Sequence, residues 1–258
     1  MPIGHLPDRA CAVRLIMAFH EQLSASLDGR RGETAANGLC EACVELFDVD
    51  AAAISLVFDG ANVGTLGHSG GPALEYDELQ FTIGEGPCLD SVSSRRPVLV
   101  GDLADRRELR WPLYGPAMLE MSIRGVFAMP VVVAGEYVGA LDLFRSEPGD
   151  LSDEELAGAM LAGEMAALPM LDLMHGNLVD AATNPNTDAW AELNALTRVE
   201  VSQATGMLVA QLGVEPAEAL VRLRAHAYAT NRSATDVARD VLDRRLRFEA
   251  DRTVDQDD

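Results

Sequence analysis

Lysine is missing from the 258-residue chain, and all 20 basic side chains are arginine. The absence reads as GC-rich codon usage and says little about function. Cysteine is scarce. Cys11, Cys40, Cys43 and Cys88 are too few and too scattered for a disulfide framework in a chain of this size. Cys40-Glu41-Ala42-Cys43 has no second pair or His pair to complete a zinc site, so free thiols and no metal centre are expected. No apolar run approaches the ~18–20 residues that cross a bilayer. Met1-Pro2-Ile3-Gly4-His5 lacks the basic segment and apolar core of an export signal. A cytoplasmic protein with no membrane partner is the expectation.

What is abundant is acid. The formal net charge is -21, which argues against nucleic-acid binding by the surface as a whole. The distribution is uneven. Residues 1–195 hold 11 Arg against 30 acids, residues 196–248 hold 8 Arg against 6, and 249–258 hold 1 against 5. Positive charge is therefore confined to one short stretch between an acidic domain and an acidic tail.

Hydrophobic periodicity divides the chain. Apolar residues from Arg9 to Leu27 recur near helical spacing and stop at Asp28-Gly29. A second helix is predicted from Thr34 to Phe47, burying Leu39, Cys43, Leu46 and Phe47. The period then shortens: Ala51–Phe58 and Asn62–His68 read as a hairpin around Asp59-Gly60. Phe81–Ile83 leads into the turn Gly84-Glu85-Gly86-Pro87-Cys88 and a helix from Cys88. Pro97–Val100 is a short strand, Trp111–Met121 a loop becoming a helix, and Gly125–Val133 with Glu136–Phe144 a tight hairpin. Ser152-Asp153-Glu154-Glu155 is a capping box opening a helix toward Met174, kinked at Pro169. Strands in the middle with helices before and after predict an α+β domain with one antiparallel sheet.

The Gly84–Cys88 turn, the Met129-Pro130-Val131 strand end and the Val138-Gly139-Ala140-Leu141 strand before a long exit helix resemble a GAF domain over about residues 31–175. The resemblance implies a pocket between sheet and covering loops for an unidentified small ligand. Phe81, Cys88, Trp111, Met121 and Met129 are the expected lining, although ordinary core packing also suits several of them. Some GAF proteins are thiol-based sulfoxide reductases. Cys88 at a helix start would favour thiolate, but no basic neighbour or resolving partner is evident, so no enzyme, catalytic residue or cofactor is expected.

Residues 176–195 read as a linker or connecting helix. Beyond it three helices are punctuated by their own signals. Val199–Leu212 ends at Gly213; Glu215-Pro216 starts a second helix that stops near Asn231; Ser233-Ala234-Thr235-Asp236 caps a third running to Phe248. Each has a single apolar stripe, so a small all-α bundle is expected, with Tyr228 read as core. Charge and periodicity alone leave it open between nucleic acid and protein. Val201-Ser202-Gln203-Ala204-Thr205-Gly206-Met207-Leu208, then Ala219 to Ala227, then Asn231 and Asp236-Val237-Ala238, resemble an ANTAR domain, the RNA-binding module of antitermination regulators. Thr205 stands where many such sequences carry Lys.

The resemblance implies binding to paired hairpins in a nascent transcript. Arg198, Gln203, Arg222, Arg224, Asn231, Arg239, Arg244 and Arg245 are the candidate RNA contacts, since RNA loops are read by Arg planes and amides. The expected organisation is an N-terminal helix over 1–30, a GAF-like sensor over 31–175, the linker, an ANTAR-like module over 196–248 and the acidic tail. Partners would be RNA, a small ligand or an upstream signalling protein, and a second copy in a homodimer. A protein-interaction regulator without RNA binding is the alternative.

Overall fold

The computed structural model describes residues 9–58, 60–172 and 198–249. The expected linker over 176–195 and the acidic tail beyond residue 249 lie outside the described residues. Helices α1 (Arg9–Leu27) and α2 (Gly32–Leu46) precede a hairpin of β1 (Ala51–Phe58) and β2 (Ala61–His68). Helices α3 (Gly71–Ile83) and α4 (Pro87–Ser94), strand β3 (Val98–Val100) and helix α5 (Tyr114–Glu120) follow. Strands β4 (Gly125–Val133) and β5 (Glu136–Arg145) and helix α6 (Asp153–Met165) complete the N-terminal part. The C-terminal bundle is α7 (Val199–Leu212), α8 (Pro216–Ala229) and α9 (Ala234–Leu242).

The strands form one antiparallel sheet in the order β2-β1-β5-β4-β3. Because strand side chains alternate between faces, the sheet supplies two cores. Ala52, Ile54, Phe127, Met129, Val131, Leu141 and Leu143 pack with Leu23, Leu39 and Cys43 of α1 and α2 and Ala159 and Ala162 of α6. Ala51, Ala53, Val126, Ala128, Ala140 and Phe144 pack on the other side with Cys88, Trp111, Tyr114 and Met118. Glycine permits close approach at two places, between α2 and β2 and between the paired strands β1 and β5. At Gly67 an added Cβ would come within 2.5 Å of the Ala36 Cβ, and at Gly139 it would overlap the Ser55 carbonyl oxygen.

The Ser152 capping box forms in full: its hydroxyl accepts from Glu155 N–H, and the Glu155 carboxylate accepts from Ser152 N–H at 2.7 Å. The exit helix breaks at Ala166, then resumes over 167–172. Pro169 lacks the N–H that would bond the Met165 carbonyl, which places the break one turn upstream of the proline. Gly213 ends α7 in the left-handed conformation and Pro216 sits in the first turn of α8.

Two expectations need correction. Residues 71–83 are helical, whereas periodicity gave no helix there, because the inward face of α3 is polar: Asp77, Gln80 and Thr82 are buried. The last helix ends at Leu242, not Phe248. Arg244 turns left-handed, and Arg245 and Leu246 N–H both bond the Asp240 carbonyl. Leu246 and Phe248 still fold back onto the bundle core.

Candidate functional site

Helix α3 faces the sheet with polar side chains, and they meet polar positions of β1, β2 and β5. Ser55 Oγ lies within hydrogen-bonding distance of both Asp77 and Asp142, the latter at 2.9 Å, and its single proton serves one of the two. Asn62 Nδ2 donates to Asp77 Oδ1 at 2.8 Å, Thr65 Oγ1 to Asp77 Oδ2, and Gln80 Nε2 to Asp142 Oδ2 at 3.1 Å. Gln80 also accepts from Cys88 N–H at 3.0 Å, and Gly86 leaves room for it, since a Cβ there would lie 2.5 Å from Gln80 Oε1. Burial, together with the nearby Asp77 charge, holds the Asp142 carboxyl well above its ordinary pKa. Asp142 Oδ1 and the Tyr114 hydroxyl are buried with no partner among the described residues.

The C-terminal bundle closes over the outer side of this cluster. Arg198, entering α7, points its guanidinium at the N-terminal domain. Nε donates to Glu78 Oε2 at 2.7 Å, Nη1 to Asn62 Oδ1 at 2.7 Å, and Nη2 to Asp77 Oδ2 at 3.0 Å. Its Cζ lies 4.3 Å from the centre of the Phe81 ring. The side chain is only 8% exposed, and Asp77 is wholly buried. Burial works against the charge, but Asp77 and Glu78 outweigh it and hold the Arg198 pKa above its ordinary value. Glu78 bonds twice across the junction, because its other oxygen accepts from Thr235 N–H at 3.2 Å and Thr235 Oγ1 at 2.8 Å. A carboxylate at the start of α9 also suits the helix dipole. Thr82 Oγ1 accepts from Ala234 N–H at 3.0 Å.

Arg224, on α8, stacks on the same Phe81 ring with its Cζ at 4.6 Å. Its environment is poor for a cation. Nε is buried without a partner among the described residues, and burial, followed by the neighbouring Arg198 charge, lowers its pKa.

Two residue ranges decide the family. Residues 33–168 match the GAF domain, and residues 192–242 match the ANTAR domain. The chain is a GAF-ANTAR protein. No curated protein matches it. Among solved structures, the GAF domain of a phosphoenolpyruvate-protein phosphotransferase from Coxiella burnetii is similar, with 18% identity and a TM-score of 0.48, over 67% of this chain and 99% of that one. The fRMsr of Staphylococcus aureus in complex with substrate is similar at 13% identity and a TM-score of 0.46, over 65% of this chain and 97% of that one. Both likenesses are too distant to speak of ligand or activity.

Within the GAF-ANTAR protein, the expected ligand-lining residues do not converge. Phe81 is 5% exposed and belongs to the ANTAR core. Cys88 and Trp111 lie in the core beneath α3–α5, and Met129 lies in the opposite core. Strand alternation separates Met129 from its neighbour Ala128, which faces the Cys88 side. Met121 is half-buried at the end of α5. Burial, followed by the Asp142 and Asp77 charges, pushes the Cys88 thiol well up, opposite to the thiolate that a helix start would favour. Cys43 is pushed to about 12 by burial alone.

The expected RNA contacts divide into two groups. Arg198 and Arg224 are turned into the GAF interface. Gln203, Asn231, Arg239, Arg244 and Arg245 are exposed, and Arg222 is half-buried beside Glu218 at 2.8 Å. Asn231 takes a left-handed turn with φ 52 between α8 and α9, a conformation that asparagine tolerates. Thr205 Oγ1 bonds the Val201 carbonyl at 2.7 Å. Tyr228, expected in the core, is 49% exposed, while His226 packs edge-on against Phe248 at 5.3 Å.

Ser55, Asn62, Asp77, Glu78 and Asp142 escaped sequence reasoning. One signal was there: Asp142 interrupts the apolar run Ala140-Leu141-Asp142-Leu143-Phe144, where a charge at an inward strand position breaks the binary pattern.

Proposed function

We propose that this GAF-ANTAR protein is a cytoplasmic transcription antitermination regulator. Its ANTAR module binds hairpins in a nascent RNA under control of the GAF domain, which senses a small ligand or an upstream signalling protein. The observation that carries the reading is the ANTAR match over 192–242, on the part of the chain that concentrates arginine. The docked arrangement supports a resting state. Arg198 and Arg224 are held against Phe81 and withdrawn from RNA, and Arg239, Arg244 and Arg245 remain at the surface.

A homodimer would pair two modules on two hairpins. Exposed Leu15, Ile16 and Met17 on α1, with Met160 and Leu168 near it along the exit helix, support an apolar face for a second copy. Sedimentation analysis tests that part.

For RNA, the test is electrophoretic mobility shift of the full chain on a two-hairpin leader at low salt, with and without Phe81→Ala to loosen the docked module. Retardation, stronger for the variant, is expected. Absence of binding by both proteins would sink the RNA reading. The rival without RNA draws on the local neutralisation of the surface arginines. Arg239 lies 3.2 Å from Asp236 and 3.6 Å from Glu200, while Arg245 pairs with Asp240 at 2.8 Å and Asp243 at 2.9 Å. Charge reversal at Arg224 and Arg239 separates the two: it abolishes RNA retardation under the first reading and leaves partner function intact under the second.

A further inference from the structure

The seat of the Arg198 guanidinium is built wholly from GAF residues. Asn62 and Thr65 come from β2, and Asp77, Glu78 and Phe81 from α3. Together they offer an acceptor to each of the three guanidinium nitrogens and an aromatic face to the plane. Such a set suits a planar forked cation and exceeds what a compact ammonium would use. One hydrogen bond further in, through Ser55, stands Asp142, whose second oxygen is buried and unpartnered.

The seat is also reachable from outside. A cleft of about 440 Å³ runs along the junction between the domains and is lined by Arg198 itself with Thr65 and Glu78 of its seat. Glu33, Glu75, Glu200 and Asp236 line it too, and among the described residues Arg239 and His68 are its other basic side chains. A cleft with this charge concentrates small cations at its mouth.

We propose that the GAF domain is a receptor for a small guanidinium-bearing metabolite, which takes the place of Arg198 between Asp77, Glu78, Asn62 and Phe81. Arg198 is then a tethered stand-in for the ligand. Its displacement removes four hydrogen bonds across the junction, to Glu78, Asn62, Thr65 and Asp77, and leaves Arg224, whose Nε has no partner among the described residues, free to leave Phe81. Glu78, gripping the ligand with one oxygen, keeps only the other for Thr235. The ligand thereby favours the undocked module because it binds only the state in which Arg198 is out. The consequence for RNA rests on the function proposed above, but the binding itself does not, and it is read without RNA.

The test uses the full chain, with agmatine as probe and N-carbamoylputrescine as control, which keeps the terminal ammonium and replaces the guanidinium with a neutral urea. Titration calorimetry compares wild type, Arg198→Ala and Arg198→Ala combined with Glu78→Gln. Removing the tethered competitor raises apparent affinity by the inverse of the fraction of empty seats, so Arg198→Ala should bind agmatine at least about tenfold more tightly than wild type. The control should bind at least about tenfold more weakly, since the urea carries no positive charge to pair with Asp77 and Glu78 and turns an oxygen toward one of the three acceptors. Glu78→Gln in that background should cost about tenfold again. Equal affinity for the two probes, indifference to Glu78→Gln, or no saturable binding to Arg198→Ala overturns the proposal. Should Arg198→Ala not fold, hydrogen exchange on wild type decides. Saturating agmatine should speed exchange at the amides of Ala234 and Thr235, and unchanged exchange there overturns the proposal. Failure in either form leaves the RNA reading standing, because no RNA is present.

Discussion

Phe81→Ala isolates the force that docks the ANTAR module. Phe81 is 5% exposed, belongs with Leu208, Leu223, Ala234 and Val237 to the ANTAR core, and carries the guanidinium groups of both Arg198 and Arg224 over its ring. Truncating a buried phenylalanine costs about 3–5 kcal/mol through lost transfer free energy and the cavity left behind. Each cation–π contact adds ~0.5–2 kcal/mol, overlapping with that figure. The ring sits on α3 but its partners belong to the ANTAR module, so the loss falls on docking and leaves the folding of the GAF sheet largely intact. At ~1.4 kcal/mol per tenfold, docking should weaken by roughly a hundredfold to a few thousandfold. Hydrogen exchange on the full chain reads this directly. The Ala234 and Thr235 amides bond Thr82 and Glu78 across the junction. Their protection should fall by that factor, while Ile54 in β1 and Leu208 within α7 keep theirs. Unchanged protection at Ala234 and Thr235 would refute the reasoning, and so would an equal loss at Ile54, which would make the two domains a single cooperative unit.

Other outcomes follow from the buried polar cluster and the close-packed layers. Asp142→Asn keeps one amide oxygen beside Ser55 and Gln80 while removing a buried carboxyl whose pKa burial raises. A raised folded pKa contributes stability below the unfolded value near ~4 that is lost as pH climbs through the folded pKa, at about 1.4 kcal/mol per unit. The variant should therefore melt several degrees above wild type at neutral pH and converge with it in acid, and a lower neutral melting temperature would contradict this. Gly139→Ala sets a methyl against the Ser55 backbone, which cannot swing aside, so a loss at or above the usual ~1–3 kcal/mol of overpacking is expected in denaturant titration. Ser233→Ala removes the hydroxyl that accepts from Asp236 N–H at 3.0 Å. Thermal melts should register about 1 kcal/mol, with faster exchange confined to the first turn of α9.

Legibility followed the strength of local signals. The pairing of β1 with β2, the Ser152 cap, Gly213 and the Ser233 cap depend on signals within a few residues, and each formed where the pattern put it. Helix α3 was hidden because its buried face carries Asp77, Gln80 and Thr82, whose burial depends on partners from β1, β2, β5 and the ANTAR module. The far end of α9 was overextended because Arg244 and Arg245 suit a helix by propensity, and only the left-handed turn at Arg244 removes them from it.

The sequence by itself determined the two families, the α+β class, the three-helix bundle and the segregation of arginine into one module, because periodicity, caps and charge are properties of neighbours along the chain. Only the tertiary structure decided that Phe81 serves the ANTAR interface, that Met129 and Cys88 lie in opposite cores, and that Arg198 meets Asp77 and Glu78 across some 120 residues of chain. Those facts depend on which face each residue presents once the layers close. A charged side chain's role is set by the partner that burial leaves it, and no local pattern records that partner.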